Sequence, residues 1–168
     1  GAQYILENLK DGGQVAIIEG KAGNASGESR KTGATKVFTE ASNVTLVASQ
    51  PADWDRQKAL DTAASMLQAN PDLKAIYCCN DTMALGALQA VKNAGKLGEI
   101  IVVGTDGAAE ALTSVEEGEL NATVAQNSAE IGATSLRRMI KAVKDAEKID
   151  ANATPETIPV DSYIVTKK

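Results

Sequence analysis

The sequence contains no histidine, and this absence removes several kinds of chemistry at once. Histidine-based catalytic triads, histidine general bases and histidine metal ligands are all excluded. Cysteine is scarce as well, because the chain has only Cys78 and Cys79. Neighbouring residues of a strand point to opposite faces, so a disulfide between these two would be strained. We therefore expect two small, buried residues within a strand.

Two phosphate-binding patterns are also missing. Residues 20–27 form a small-residue segment between a predicted strand and a predicted helix, and the segment opens with Gly-Lys-Ala-Gly. The P-loop pattern needs a lysine after its second glycine and then a serine or threonine, and neither is in register here. The dinucleotide pattern G-x-G-x-x-G is absent. We predict a flexible loop.

The aspartates offer little support for catalysis. Asp53, Asp55, Asp81 and Asp106 lack a paired base, a nucleophile or a metal-binding spacing. Asp55 and Asp81 are most simply explained as helix N-caps. We therefore predict no catalytic residue, no metal and no cofactor.

The bulk composition is that of an ordinary globular domain. The chain has 168 residues, with 43% hydrophobic and 23% charged residues, enough for one domain with a substantial core. A net charge of −5 argues against nucleic acid or an anionic membrane surface as the partner. No apolar run approaches the length of a membrane span.

Short apolar runs alternate with longer amphipathic segments along the chain. Strands are predicted at 14–18, 44–48, 75–79, 100–103, 122–125, 157–160 and 162–165. Helices are predicted at 2–10, 28–41, 55–69, 81–95, 108–117 and 127–146. This alternation predicts an α/β fold with a doubly wound, mostly parallel sheet flanked by helices. Its crossovers should be right-handed.

Polar or aromatic residues follow five successive predicted strands. They are Arg30, Trp54, Asn80, Asp106 and Gln126. In an open α/β sheet, ligands bind in the crevice at the carboxyl ends of the strands. An aromatic ring for stacking, together with donors and acceptors of hydrogen bonds, suits a neutral polyhydroxy ring. The pattern therefore predicts half of a sugar-binding cleft.

Each of these residues also has a simpler explanation. The only tryptophan, Trp54, is compatible with ordinary core or edge packing, and Arg30 with a solvated surface charge. The other three are compatible with turn or cap positions. Their recurrence at one edge of the sheet favours the binding interpretation.

Several segments resemble a known family. Four occur in the family's order at 48–56, 75–86, 102–107 and 122–127, and 14–27 and 160–166 support the match. Together they resemble the periplasmic sugar-binding proteins of bacterial ABC importers, of the ribose and allose type. The resemblance covers essentially the whole chain.

The resemblance implies a specific organisation. The family has two α/β lobes joined by a three-stranded hinge, with the sugar between them. It implies a C-terminal sugar-binding lobe at 1–126, a helix and linker at 127–157, and returning strands at 158–168. The same five strand-end residues become sugar ligands, with Trp54 as the stacking ring. We expect the family's N-terminal lobe to be absent and the apolar face of the last helix to lack its partner.

The resemblance also implies a function. It predicts a non-enzymatic protein that binds a monosaccharide, an aldohexose such as allose, and delivers it to a membrane permease. Its location would be the periplasm, or an extracytoplasmic, membrane-associated lipoprotein in a Gram-positive bacterium. We expect a homodimer if the last helix is left uncovered. The alternatives are the effector-binding core of a lactose-repressor-type transcription factor and, less favoured, a small α/β enzyme or receiver-like domain.

Overall fold

The computed structural model describes residues 1–148, 150 and 152–168. Its helices are α1 (Ala2–Asn8), α2 (Ala25–Glu40), α3 (Arg56–Ala69), α4 (Asp81–Asn93), α5 (Ala109–Glu117) and α6 (Ser128–Lys144). Its strands are β1 (Gly13–Glu19), β2 (Val44–Pro51), β3 (Leu73–Cys78), β4 (Ile101–Asp106), β5 (Ala122–Ala125) and β6 (Tyr163–Thr166).

The strands form one sheet in the order β2-β1-β3-β4-β5-β6. The pairs β1–β2, β1–β3, β3–β4 and β4–β5 are all parallel. The chain first moves outwards from β1 to β2 and then returns to the other side of β1. This reversal is the topological switch point, where the carboxyl ends of β1 and β3 open a crevice. The predicted doubly wound α/β fold is therefore confirmed.

Helices cover both faces of the sheet. Right-handed crossovers that run in opposite directions place their helices on opposite faces. Accordingly α1 packs against α2, while α3 packs against α4 and α4 against α5. Between these layers, the four residues at 15–18 of β1 have no exposed surface. A continuous apolar run is what a strand covered on both faces requires.

Three local predictions are wrong. Helix α2 begins within the expected loop, because the Asn24 side chain accepts a hydrogen bond from the Gly27 amide at 3.0 Å and caps it. Asn80, not Asp81, caps α4. Residues 157–160 are not a strand, since Pro159 has no amide hydrogen to donate to a ladder.

The chain divides into two compact units. The first comprises Gly1–Ala125 with Ile164–Lys168, and the second comprises Gln126–Tyr163. The second contains α6, which has no buried residue. The domain boundaries implied by the resemblance remain a prediction. Over the residues described, no helix is both long and apolar enough to cross a membrane.

A candidate ligand site at the carboxyl edge of the sheet

An arginine and an aspartate from distant parts of the chain meet where the strands end. Arg30 lies on α2, which follows β1, and Asp106 is the last residue of β4. Nη2 of Arg30 donates to Oδ1 of Asp106 at 2.8 Å, and Nη1 donates to the carbonyl oxygen of Cys79 at 2.7 Å. The two side chains keep 22% and 35% of their surface exposed. The pair is therefore fixed in position and still accessible to a ligand.

The backbone of Asp106 is strained. Its φ is 126°. This value lies in the positive-φ region, which residues with a Cβ rarely adopt. Such conformations cost about 1–3 kcal/mol, and they persist only where the surrounding structure enforces them. Neighbouring residues must therefore hold the backbone of Asp106 in this conformation.

Trp54 lies in the turn between β2 and α3. Asp53 and Trp54 both have positive φ, 54° and 67°. The six-membered ring of the indole packs over Gly20 and Gly27, and a Cβ on either glycine would meet it. The turn thus places the only tryptophan against the residue that follows β1 and against the first turn of α2. The two glycines beneath the ring are a part of this arrangement that sequence reasoning missed, although a glycine directly after a strand is a recognisable sign of close approach.

Asn80 follows β3 and caps α4. Its Oδ1 accepts from the Met83 amide at 2.9 Å, which leaves the amide nitrogen of the side chain as a donor. Asp55 is the predicted cap of α3, and its side chain accepts from the Lys58 amide at 2.7 Å.

A second ion pair at the same edge was not anticipated. Glu19 ends β1, accepts from the Ser49 hydroxyl at 2.6 Å and pairs with Lys31 at 2.9 Å. The Glu19 carboxylate raises the pKa of Lys31. Arg30 and Lys31 are adjacent on α2, and each pairs with an acid at a strand end. Each of these two ion pairs carries no net charge.

Asp81 is buried beside the site. Its Oδ2 accepts from the Ala108 amide at 2.7 Å and its Oδ1 from the Thr123 hydroxyl at 2.6 Å. Burial raises the pKa of Asp81, and the charge of Asp106 adds to the rise, while the bonds from Thr123 and Ala108 oppose it. Sequence reasoning had no signal for these partners, because an aspartate at a helix start also fits a cap.

The nearby thiols and phenol are not poised for catalysis. Cys78 and Cys79 are buried and unbridged. Burial raises the pKa of Cys79 to about 11 and that of Cys78 well above its usual range. Burial also raises the pKa of Tyr77 to about 12. These groups are protonated at neutral pH, so they supply no anionic nucleophile.

The structure brings Arg30 and Asp106 into direct contact, packs Trp54 against Gly20 and Gly27, and places Asn80 at the start of α4. Gln126 follows β5 in sequence and begins the second unit, so its part in the site stays a prediction. In the first unit the edge offers donors, acceptors and an aromatic ring, and its Arg30–Asp106 and Lys31–Glu19 pairs carry no net charge. Such an arrangement is suited to a neutral ligand with several hydroxyl groups.

Comparisons with known proteins identify the family and the fold. The model of the periplasmic binding protein domain family matches residues 1–148. The D-allose-binding periplasmic protein of Escherichia coli strain K12 is 60% identical over 168 residues, which cover 99% of this chain and 54% of that protein. The ribose import binding protein of the same strain is 38% identical, over 98% of this chain and 53% of its own length.

A solved structure has the same fold. It is an ABC transporter periplasmic solute binding protein from Actinobacillus succinogenes 130z with bound D-allose. It aligns with a TM-score of 0.88 and 36% identity, over 99% of this chain and 56% of its own. This chain thus spans about half the length of the relatives that it matches.

Proposed function

The chain belongs to the periplasmic binding protein domain family, and we propose that it supplies one lobe of a monosaccharide-binding protein. The ligand would be D-allose or a similar aldose, and the protein would be the solute-binding component of an ABC importer. The sugar would lie between this lobe and a second one, and lobe closure would present the bound form to the membrane permease. Arg30, Asn80, Asp106 and Gln126 would hydrogen-bond the sugar, and Trp54 would stack on it.

The Arg30–Asp106 pair is the observation that carries this proposal. A guanidinium offers donors in a fixed fork, and a carboxylate accepts from two hydroxyls at once. Because the two charges cancel, and because Lys31 is likewise paired with Glu19, a charged ligand gains no net attraction from these four side chains. A neutral polyhydroxy ring matches both the chemistry and the charge.

The names of the relatives support transport over the alternatives. They describe periplasmic and import binding proteins, which disfavours the effector-binding core of a repressor. We propose that the protein is not an enzyme and that it works in the periplasm or, in a Gram-positive bacterium, as an extracytoplasmic lipoprotein.

Sugar binding can be measured on this chain directly. Its single tryptophan makes the fluorescence and the indole N–H signal of Trp54 specific reporters. We expect D-allose or a near epimer, added up to millimolar concentration, to shift this signal and the amide signals of Arg30 and Asp106. Calorimetry on the full-length gene product would then give the affinity for a panel of aldoses and pentoses. Binding of an amino acid or a nucleobase, with no response to any monosaccharide, would contradict the proposal.

Substitutions assign the roles. Asp106→Ala should cost about 2–3 kcal/mol of sugar-binding free energy, because hydroxyls lose a charged acceptor. Trp54→Ala should cost a similar amount through lost ring contact. Asp55→Ala is the control, since it should lower stability by about 1 kcal/mol through its cap and leave binding unchanged. The reverse order, with Asp55 critical and Asp106 neutral, would refute the assignment.

We also propose that the isolated chain self-associates through α6. Five apolar side chains of this helix are between 39% and 76% exposed: Ile131, Leu136, Met139, Ile140 and Val143. Burying a large aliphatic side chain contributes roughly 1.5–3 kcal/mol of stabilising free energy. A dimer in which a second copy covers this face of α6 would therefore be stabilised. Sedimentation velocity at micromolar concentration should show a dimer, and Leu136→Lys should restore the monomer. A monomer at all concentrations would contradict this part.

A further inference from the structure

Asp81 is a buried acid whose role is not explained by helix capping. Only 1% of the residue is exposed, and Asn80 already provides the cap of α4. Burying a charged carboxylate is costly unless its oxygens are hydrogen-bonded. Both oxygens of Asp81 are so bonded, one by the Ala108 amide and the other by the Thr123 hydroxyl.

These two bonds converge on the turn that follows Asp106. Ala108 lies two residues after Asp106, and the Thr123 oxygen that donates to Asp81 also accepts from the Gly107 amide at 3.3 Å. Asp81 thus holds the two residues that follow Asp106. It binds Ala108 directly and Gly107 through Thr123 of β5. The strained φ of Asp106 is the conformation that such an anchor would enforce.

The Asp81 carboxylate packs closely against β4. A Cβ on Gly104, two residues before Asp106, would collide with the Asp81 carboxylate. The acid therefore packs against the strand just before Asp106 and bonds to the turn just after it. Little room is left for a different backbone path at Asp106.

The same short segment also contacts the partner of Asp106. The carbonyl oxygen of Cys79, two residues before Asp81, accepts from Nη1 of Arg30 at 2.7 Å. One stretch of three residues thus contacts Arg30 at one end and the turn after Asp106 at the other.

We propose that Asp81 is a positioning residue that, with Thr123, holds the Asp106 carboxylate towards Arg30 and so sets the affinity for sugar. The affinity part rests on the proposed function, whereas the geometric part does not. Asp81 acts through the backbone and touches no ligand.

The test compares three variants of this chain. Asp81→Asn keeps the shape but has one acceptor oxygen instead of two, and Thr123→Val removes the hydroxyl. We expect each to shift the guanidinium signals of Arg30 and to change the backbone coupling constant of Asp106 in the absence of sugar. We also expect D-allose affinity, measured by NMR titration, to fall roughly tenfold for Asp81→Asn. Thr123→Ser keeps the hydroxyl and should restore the wild-type signals and affinity.

Asp55→Asn is the matched control. It makes the same change in another aspartate at a helix start, where asparagine still caps the helix, so it should leave both the stability and the Arg30 and Asp106 signals nearly unchanged. The proposal is overturned if Asp81→Asn and Thr123→Val lower only the unfolding midpoint and leave these signals and the affinity unchanged. If Asp81→Asn does not fold, the Arg30 and Asp106 signals and the sugar affinity of Thr123→Val decide whether the proposal holds. If this chain alone binds no sugar, calorimetry on the full-length gene product decides the proposed function, while the sugar-free signals still decide whether Asp81 positions Asp106.

Discussion

Two helices with the same kind of start have very different surroundings, α4 in the first unit and α6 in the second. Asn80 caps α4 and Asn127 caps α6, each by accepting from the amide three residues further on. Both helices have an acid in the first turn and lysine in the last. Yet α4 has eight buried residues and α6 has none. A cap and an amphipathic pattern specify a helix, whereas its burial depends on the surface that it meets.

The surroundings explain the contrast. α4 connects β3 to β4 and packs against both strands and against α3. α6 is the only helix of its unit among the residues that the structure describes. Its apolar side chains therefore have no layer within that unit to cover them. The comparison predicts that equal substitutions in the two helices have unequal effects.

The largest difference is expected for two methionines. Met83 of α4 is fully buried and Met139 of α6 is 60% exposed. Met83→Ala should lower the free energy of unfolding by about 2–5 kcal/mol, because it removes buried contacts and leaves a cavity. Met139→Ala should change it by less than about 0.5 kcal/mol. Denaturant unfolding at submicromolar concentration, where association does not contribute, measures both. A comparable loss for Met139 would mean that α6 is covered in solution.

A smaller difference is expected for the two caps. Asn80→Ala should destabilise the first unit by about 1 kcal/mol through the lost cap bond. Asn127→Ala should leave the unfolding of the first unit unchanged and lower hydrogen-exchange protection only in the first turns of α6. Asn80→Ser retains a capping oxygen and separates the cap from any loss of sugar binding. Equal losses of global unfolding free energy in the two alanine variants would contradict the expected difference between α4 and α6.

The smallest effect concerns the acids of the two first turns. Burial raises the pKa of Asp81 above its ordinary 3.8. Hydrogen bonds from Arg137 and Thr134 lower the pKa of Glu130 below 4.5. NMR titrations of the carboxyl carbons should show a raised pKa for Asp81 and a lowered pKa for Glu130. Shifts of both pKa values in the same direction would contradict this prediction.

The consequences for stability have opposite signs. The folded state binds the proton of Asp81 more tightly than the unfolded state does, so the contribution of Asp81 falls as the pH rises through its raised pKa. The contribution of Glu130 is present above its ordinary pKa and is lost as the pH falls through the lowered value. The protection factors of α6 amides, which correct for the pH dependence of intrinsic exchange, should therefore fall in acid only below about pH 4.5.

Most of the fold was predictable from local patterns. The apolar run of β1 and the capping aspartate of α3 are visible in short windows of sequence, and both are present in the structure. Two of the three local errors arose where one residue type serves two purposes, and the third arose at Pro159. An asparagine inside a small-residue loop is also a cap, as Asn24 is for α2, and an aspartate at a helix start also serves as a buried acceptor, as Asp81 does.

The candidate site was predictable as a set of strand-end positions but not as an arrangement. The carboxyl ends of parallel strands lie at one edge whatever their order, so Arg30 and Asp106 were expected on the same side of the sheet. Their pairing depends on the strand order, which places one strand, β3, between β1 and β4. The packing of Trp54 against Gly20 and Gly27 likewise depends on how the turn after β2 meets the segment after β1.

The sequence by itself determined the alternation of strands and helices, the choice of residues at the strand ends and the exclusion of histidine chemistry. These properties are carried by residue type and short-range periodicity. Tertiary structure alone decided that Arg30 meets an acid 76 positions away, that Asp81 is buried under the turn after Asp106, and that α6 buries nothing while α4 buries most of one face. Such outcomes depend on strand order, register and available surface, and these are set by long-range packing that no local pattern encodes.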